Sequence, residues 1–277
     1  MATVQPTEEI HFRQLLDEAV NKPGSLMKAY SAFWNYSTGN QLLAMMQLAA
    51  RDIPIGPIAS FMAWKDKGRF VKKGSKAISL CMPVTCKKTT ETLDGEETSH
   101  FTRFIYKNNW FALAQTEGDE YEPDPIPGWD RAKALEALNV TDAPFETLNG
   151  NVQGYARDRQ IAINPMAQMP AKTTFHELAH IMLGHCAESS AMDTESTPKN
   201  LREVEAESVA LICLESLGMD GAEYCRGYIQ SWGAEIPERS AQKIFNAANQ
   251  IIKAGHVVLD ELDGTENRED YDSDVRS

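Results

Sequence analysis

Between Thr173 and His185 the chain reads T-T-F-H-E-L-A-H-I-M-L-G-H, which places three histidines and one glutamate within ten positions. His176-Glu177-x-x-His180 is the H-E-x-x-H pattern. On a helix, residues four apart share a face, so both imidazoles can reach one ion. Glu177 then stands beside the open coordination position, where it can take a proton from an attacking water and pass it to a leaving group. That is the chemistry of peptide hydrolysis; the bland alternative is a surface helix with incidental histidines. The surroundings favour the first reading. Ile161-Ala162-Ile163 supplies a strand just before, Pro170 suits a helix start, and Gly184 suits a helix stop.

A third ligand is needed. His185 is close in sequence, but at 100° per residue a continuing helix puts it about 180° from His176 and about 140° from His180. On that geometry it is a C-terminal helix residue facing free carbonyls. The segment L-R-E-V-E-A-E-S-V-A-L, 201–211, offers glutamates instead. Glu203 and Glu207 share a helix face and Glu205 points away from both. Two histidines with one glutamate is a catalytic zinc arrangement that leaves a fourth position for water. Glu203 is therefore assigned as ligand, and Glu207 as the group that orients a histidine N–H. For any one of these glutamates the alternative is an exposed helix charge, and Glu205 suits that description best. Zinc fits the donor set; manganese or cobalt can occupy similar sites.

These residues must be held by a fold of 277 residues, 42% hydrophobic and 24% charged, long enough for two domains. There is no run of eighteen apolar residues and no leader-like N-terminus, and the five cysteines show no C-x-x-C spacing. A reducing cytoplasm, with no membrane partner, is the expected setting. Helical spacing appears over 8–22, 40–51, 129–139, 170–184, 199–217 and 240–254. A short helix or turn is expected at 60–67 and short strands at 152–156 and 160–163. R-F-V-K-K-G-S-K-A-I-S-L-C-M-P-V reads as two strands around a Lys73-Gly74 turn, with F-T-R-F-I-Y and W-F-A-L-A-Q as returning strands. The expected class is α+β: an N-terminal α+β domain, then a mainly helical domain with a small sheet. Residues 119–130 have the proline, glycine and acidic composition of a linker. The segment 260–277, with eight acids and two arginines, reads as a disordered acidic tail that could compete for a basic surface.

The net charge of −13 conceals a division. Residues 1–90 carry a balance of +6, and residues 91–277 one of −19. Residues 60–88 hold eight Lys or Arg and a single acid, Asp66. Trp64, Lys65, Arg69, Lys72, Lys73 and Lys76 interleave an aromatic ring with cations, and Trp34 and Tyr36 could extend the surface. Single-stranded nucleic acid needs this combination, because cations follow the backbone and bases stack on rings. A solvated lysine-rich strand edge is the alternative.

T-T-F-H-E-L-A-H-x-x-x-G-H followed by E-x-E-A-E-x-x-A resembles the zincin domains of two related groups, the ArdC-type antirestriction proteins and the ImmA/IrrE-type metallopeptidases. The resemblance puts the third ligand at the first glutamate of an E-x-x-x-(N/E) step, which falls on Glu203, with Glu207 at the paired position. Y-S-T-G-N-Q-L-L (36–43), F-M-A-W-K-D-K-G-R-F-V-K-K-G-S-K-A-I (61–78) and the Q-T-E-G close of 109–118 resemble the ArdC N-terminal domain. Arg202 stands where ArdC members often carry another glutamate. The resemblance implies single-stranded DNA binding by residues 1–118 and a Spartan-like metallopeptidase domain over 131–259. The implied role is protection of incoming plasmid DNA from host restriction during conjugation, with a DNA-associated protein, such as a restriction enzyme or repressor, as a substrate. Two other readings compete. One is a DNA-binding antirestriction protein with a structural or vestigial metal site. The other is an ImmA-like protease that cleaves a repressor, against which the basic N-terminal motif argues.

Overall fold

A computed structural model of the chain describes residues 11–92, 95–147, 151–186, 198–233 and 235–258; the acidic segment 260–277 lies outside them. In chain order the elements are α1 (Phe12–Asn21), α2 (Ser25–Phe33), α3 (Thr38–Ala49), β1 (Ile58–Ser60), α4 (Phe61–Asp66), β2 (Arg69–Val71), β3 (Ile78–Thr92) and β4 (Gly95–Ala112). A 3-10 turn (Leu113–Gln115) leads into β5 (Thr116–Gly118) and β6 (Gly128–Trp129). Then follow α5 (Arg131–Ala137), β7 (Thr141–Asp142), β8 (Gly154–Arg157), β9 (Gln160–Ile163), α6 (Pro170–Met182), α7 (Lys199–Ser216), α8 (Ala222–Ser231), α9 (Glu238–Ala254) and β10 (His256–Val257). The class is α+β. Two compact units divide the chain, one of Lys28–Pro123 with the chain up to Leu15, the other of Leu16–Met27 with the chain from Asp124 onward.

In the first unit β3 and β4 form one long antiparallel hairpin, and β1 adds to β4 in the order β1-β4-β3. The free side of β3 meets α3 through two amides. Asn40 donates to the Cys81 carbonyl and accepts from its N–H, at 2.9 and 2.8 Å. Gln47 does the same for Ser79, at 2.7 and 2.9 Å. Side-chain amides thus satisfy an edge that would otherwise present bare backbone groups. The expected hairpin around Lys73-Gly74 does not form. β2 pairs with β5 instead, Arg69 opposite Gly118 and Val71 opposite Thr116. That pairing explains two glycines in the motif. A Cβ on Gly118, at φ +128°, would stand 2.3 Å from the Gly68 carbonyl oxygen, and Gly68 itself has φ +70°. The start of the presumed linker is therefore structured, and Tyr121 packs edge-on against Trp64.

The second unit is built around α7, which is buried on every side from Val204 to Ser216 by α6, α8 and α9. A helix with no solvent face gives a weak periodic signal. The small sheet β7-β9-β8 flanks α6, with β8 at its edge. The segment 16–27 is held by a buried ion pair. Arg226 pairs with Glu215 and donates to the carbonyls of Ala19 and Val20, while Glu215 accepts from the Leu26 N–H at 3.1 Å. Removing one partner strands a charge out of water. Glu215→Ala is expected to lower unfolding free energy by about 3–5 kcal/mol in urea titration. Sequence periodicity indicated neither α2 nor α8, the elements beside this pair.

Candidate metal centre

Helix α6 begins with Pro170 at its first turn, where a missing N–H costs nothing. It ends on Gly184 at φ +77°, and the Gly184 N–H bonds the Ile181 carbonyl at 3.1 Å while the His185 N–H bonds the His180 carbonyl at 2.8 Å. This is the paired closure of a Schellman turn, and it reverses the chain. His185 therefore leaves the helix and folds back over His180. The expectation that it sits on the far side of a continuing helix is corrected: the two imidazoles approach to 3.0 Å, Nδ1 to Nδ1.

On the other side of His180 the predicted ligands converge. His176 Nε2 and His180 Nε2 are 3.1 Å apart, and Glu203 Oε2 lies 3.5 Å from the first and 3.8 Å from the second. Ligands held at about 2.0–2.1 Å by one tetrahedral ion stand about 3.3 Å from each other, so the three donors fit a divalent ion. His176, His180 and Glu203 form the one such group among the described residues. Glu207 faces the other ring nitrogen of His176 at 3.4 Å, a charge contact beyond hydrogen-bond length, and Lys172 anchors it at 2.7 Å.

Glu205 is not the exposed charge that its position on the helix suggested. It is 3% exposed, because α7 has no solvent face, and its Oε2 lies 2.9 Å from His185 Nε2. Ser240 of α9 lies near the same carboxylate and favours its ionised form. Glycine 154 is the residue that sequence reasoning missed. A Cβ there would stand 2.6 Å from Thr173 Cγ2 and 3.3 Å from Glu177 Cγ, so only glycine lets β8 lie this close to α6. An isolated glycine opening a short strand is the available signal for such an approach.

Burial pushes the Glu177 carboxyl up to about 7, against the pull of nearby His176. Burial also opposes charge on His176, but the facing carboxylates of Glu203 and Glu207 prevail and raise it to about 9. For His180 burial and the neighbouring His176 charge act together to hold it down. Glu177, His176, His180 and Glu203 line a cavity of about 430 Å³ with β8, His185, Cys186, Lys199 and Arg202. The arrangement provides a carboxyl group poised near neutrality beside three convergent donors that could hold an ion, with an edge strand along one wall.

The expected DNA-binding residues divide differently. Trp64 is fully buried, and its indole N–H donates to the Phe111 carbonyl at 2.8 Å, so it presents no face for a base. Arg69 is tied to β5 through Thr116 and Asp119. Tyr36 is half-buried and donates to the Ile58 carbonyl at 2.9 Å, and Trp34 is half-buried. Both aromatics are thus withdrawn from full exposure by packing. Lys65, Lys72, Lys73 and Lys76 are exposed, although the Lys72 ammonium also reaches the Ala114 carbonyl at 3.1 Å. The exposed rings in the same stretch are Phe61 and Phe70, 49% and 58% accessible.

Residues 13–111 match the family described as the N-terminal domain of anti-restriction factor ArdC. An uncharacterized protein of Bacillus anthracis is 24% identical over 338 aligned residues; the match takes in 98% of this chain, which spans about half (55%) of that relative's length. Among solved structures, the metal-free antirestriction ArdC protein from plasmid R388 aligns over 88% of this chain and 94% of its own, at 20% identity and a TM-score of 0.49. The Mn(II)-bound form of that protein aligns over 88% and 97%, at 18% identity and a TM-score of 0.45. Among the described residues no helix is long and apolar enough to cross a membrane.

Proposed function

Starting from the ArdC-type N-terminal domain at residues 13–111, we propose that this chain is an antirestriction protein that binds single-stranded DNA and carries a working metallopeptidase site. The observation that carries the reading is the meeting of His176, His180 and Glu203 around one point, with Glu177 in the same cavity. A divalent ion held there, zinc or manganese, would polarise a scissile carbonyl and acidify a water. Glu177 takes the water's proton and delivers it to the departing amine. Its carboxyl group, near 7, can work in both directions at neutral pH. Glu207, fixed by Lys172, holds His176 in place through its second nitrogen. The edge strand β8 lies along the cavity and can pair with an extended substrate chain by strand addition, which suits an unfolded or flexible segment of a DNA-associated protein.

For the first unit, Phe61 and Phe70 supply stacking faces, and Lys65, Lys72, Lys73 and Lys76 supply the cationic track. Phe70→Ala is expected to weaken single-stranded DNA binding by about 1–3 kcal/mol without changing its salt dependence. Neutralising Lys72, Lys73 and Lys76 together is expected to flatten the slope of log K against log salt by about 2. Fluorescence anisotropy with a labelled oligonucleotide over a salt series reads both. The role itself is tested by conjugating an unmodified plasmid into a restricting host. Wild type is expected to protect it, and the Phe61/Phe70 double alanine variant to protect it poorly. Equal protection by that variant would contradict the DNA-binding part of the proposal.

A further inference from the structure

The outer side of His180 carries polar groups that the hydrolytic chemistry leaves unused. His180 Nδ1 lies 3.0 Å from His185 Nδ1, and His185 Nε2 lies 2.9 Å from Glu205 Oε2. The side chains of His185 and Glu205 are 7% and 4% exposed. Water therefore supplies few alternative partners, and the row must satisfy itself.

The direction of each hydrogen bond follows from what these groups can do. A carboxylate only accepts, so the proton between Glu205 and His185 belongs to His185 Nε2. A neutral imidazole has one donor and one acceptor, so His185 Nδ1 then accepts. The 3.0 Å contact requires His180 to donate its Nδ1–H. His180 is left with a bare Nε2, turned toward His176 Nε2 at 3.1 Å and Glu203 Oε2 at 3.8 Å. The opposite direction needs His185 doubly protonated.

We propose that Glu205 and His185 are positioning residues that lock His180 as its Nδ1–H tautomer, with Nε2 aimed at the ion position before any ion arrives. Its purpose rests on the metal-centre reading; its geometry does not. The row is assembled from two separate pieces of chain, α6 with its closing turn and α7. The Schellman turn brings His185 back over α6, and α7 carries Glu205 on the side away from Glu203. Each ligand histidine would thus have its own outer carboxylate, Glu207 directly for His176 and Glu205 through His185 for His180. Such outer partners set ring orientation and raise ligand basicity.

The test is nitrogen-15 NMR of histidine-labelled protein without metal, joined to competition titrations with Zn²⁺. In wild type His180 is expected to show a protonated Nδ1 and a bare Nε2. Glu205→Gln, which keeps the volume and removes the charge, is expected to mix the tautomers of His180 and weaken Zn²⁺ affinity about 10–100-fold. His185→Phe is expected to do the same. A wild-type His180 protonated at Nε2 would overturn the proposal whether or not the variants fold. Folded variants that bind Zn²⁺ within about threefold of wild type would also overturn it. If wild-type protein bound no divalent ion, the metal-centre reading would fail, yet the tautomer in the metal-free spectrum would still decide this inference.

Discussion

Glu177→Gln is expected to reduce protein cleavage by about 10²–10⁴-fold while metal content and single-stranded DNA binding stay at wild-type levels. The substitution keeps the size of the side chain and removes only its ability to accept a proton. Glu177 is not among the three side chains that could hold the ion, His176, His180 and Glu203. It is nevertheless 7% exposed, and Gly154 presses β8 against its stem, so the carboxyl group is held in one place beside the ligands. Burial keeps that group near neutrality, where an ordinary surface glutamate would be fully ionised and a poor acid. The variant also separates the two halves of the function. If restriction is still alleviated in cells carrying Glu177→Gln, protection comes from covering the DNA; if it is lost, proteolysis is required.

Glu203→Ala is expected to weaken metal binding on the order of 10³-fold, since one of three protein ligands accounts for about 4 kcal/mol of a binding free energy near 12. The expected result is a chain that retains its fold but purifies without metal. Glu203 is the most exposed of the four glutamates on α7, its side chain 35% accessible, so its loss leaves no buried cavity. Sequence reasoning alone predicts that Glu205→Ala keeps its metal, because Glu205 reads as a surface charge. The structure changes that expectation. Glu205 is buried against His185, which touches His180, so its removal should weaken the site measurably but less than loss of Glu203. Metal analysis of the two purified variants, side by side, distinguishes a ligand from a positioning group.

What the sequence revealed of this centre depended on how local the signal was. His176 and His180 are one helical turn apart, as are Glu203 and Glu207, and spacing alone puts each pair on one face. His185 is only five residues beyond His180, yet its position was misread because helical extrapolation ran past Gly184, where the chain turns back. Glu205 was misread for a different reason. Burial on all sides of α7 is a property of how the unit packs, and no window of sequence contains it. The N-terminal unit repeats the lesson. Trp64 goes inward, although the sequence read it as a stacking ring, because α4 is too short to show a period and only packing against β4 and Tyr121 decides its side. β2 found its partner in β5 across the long hairpin rather than across the nearby Lys73-Gly74 turn. Gly68 and Gly118 marked that pairing, but nothing local connected them.

The most direct measurement of the account is cleavage of a protein substrate on single-stranded DNA by wild-type protein, first with chelator and then after adding back Zn²⁺ or Mn²⁺. The account predicts that chelator stops cleavage, that about one equivalent of ion per chain restores it, and that DNA binding persists throughout. Cleavage that continues in chelator, or DNA binding that disappears with the metal, would contradict it.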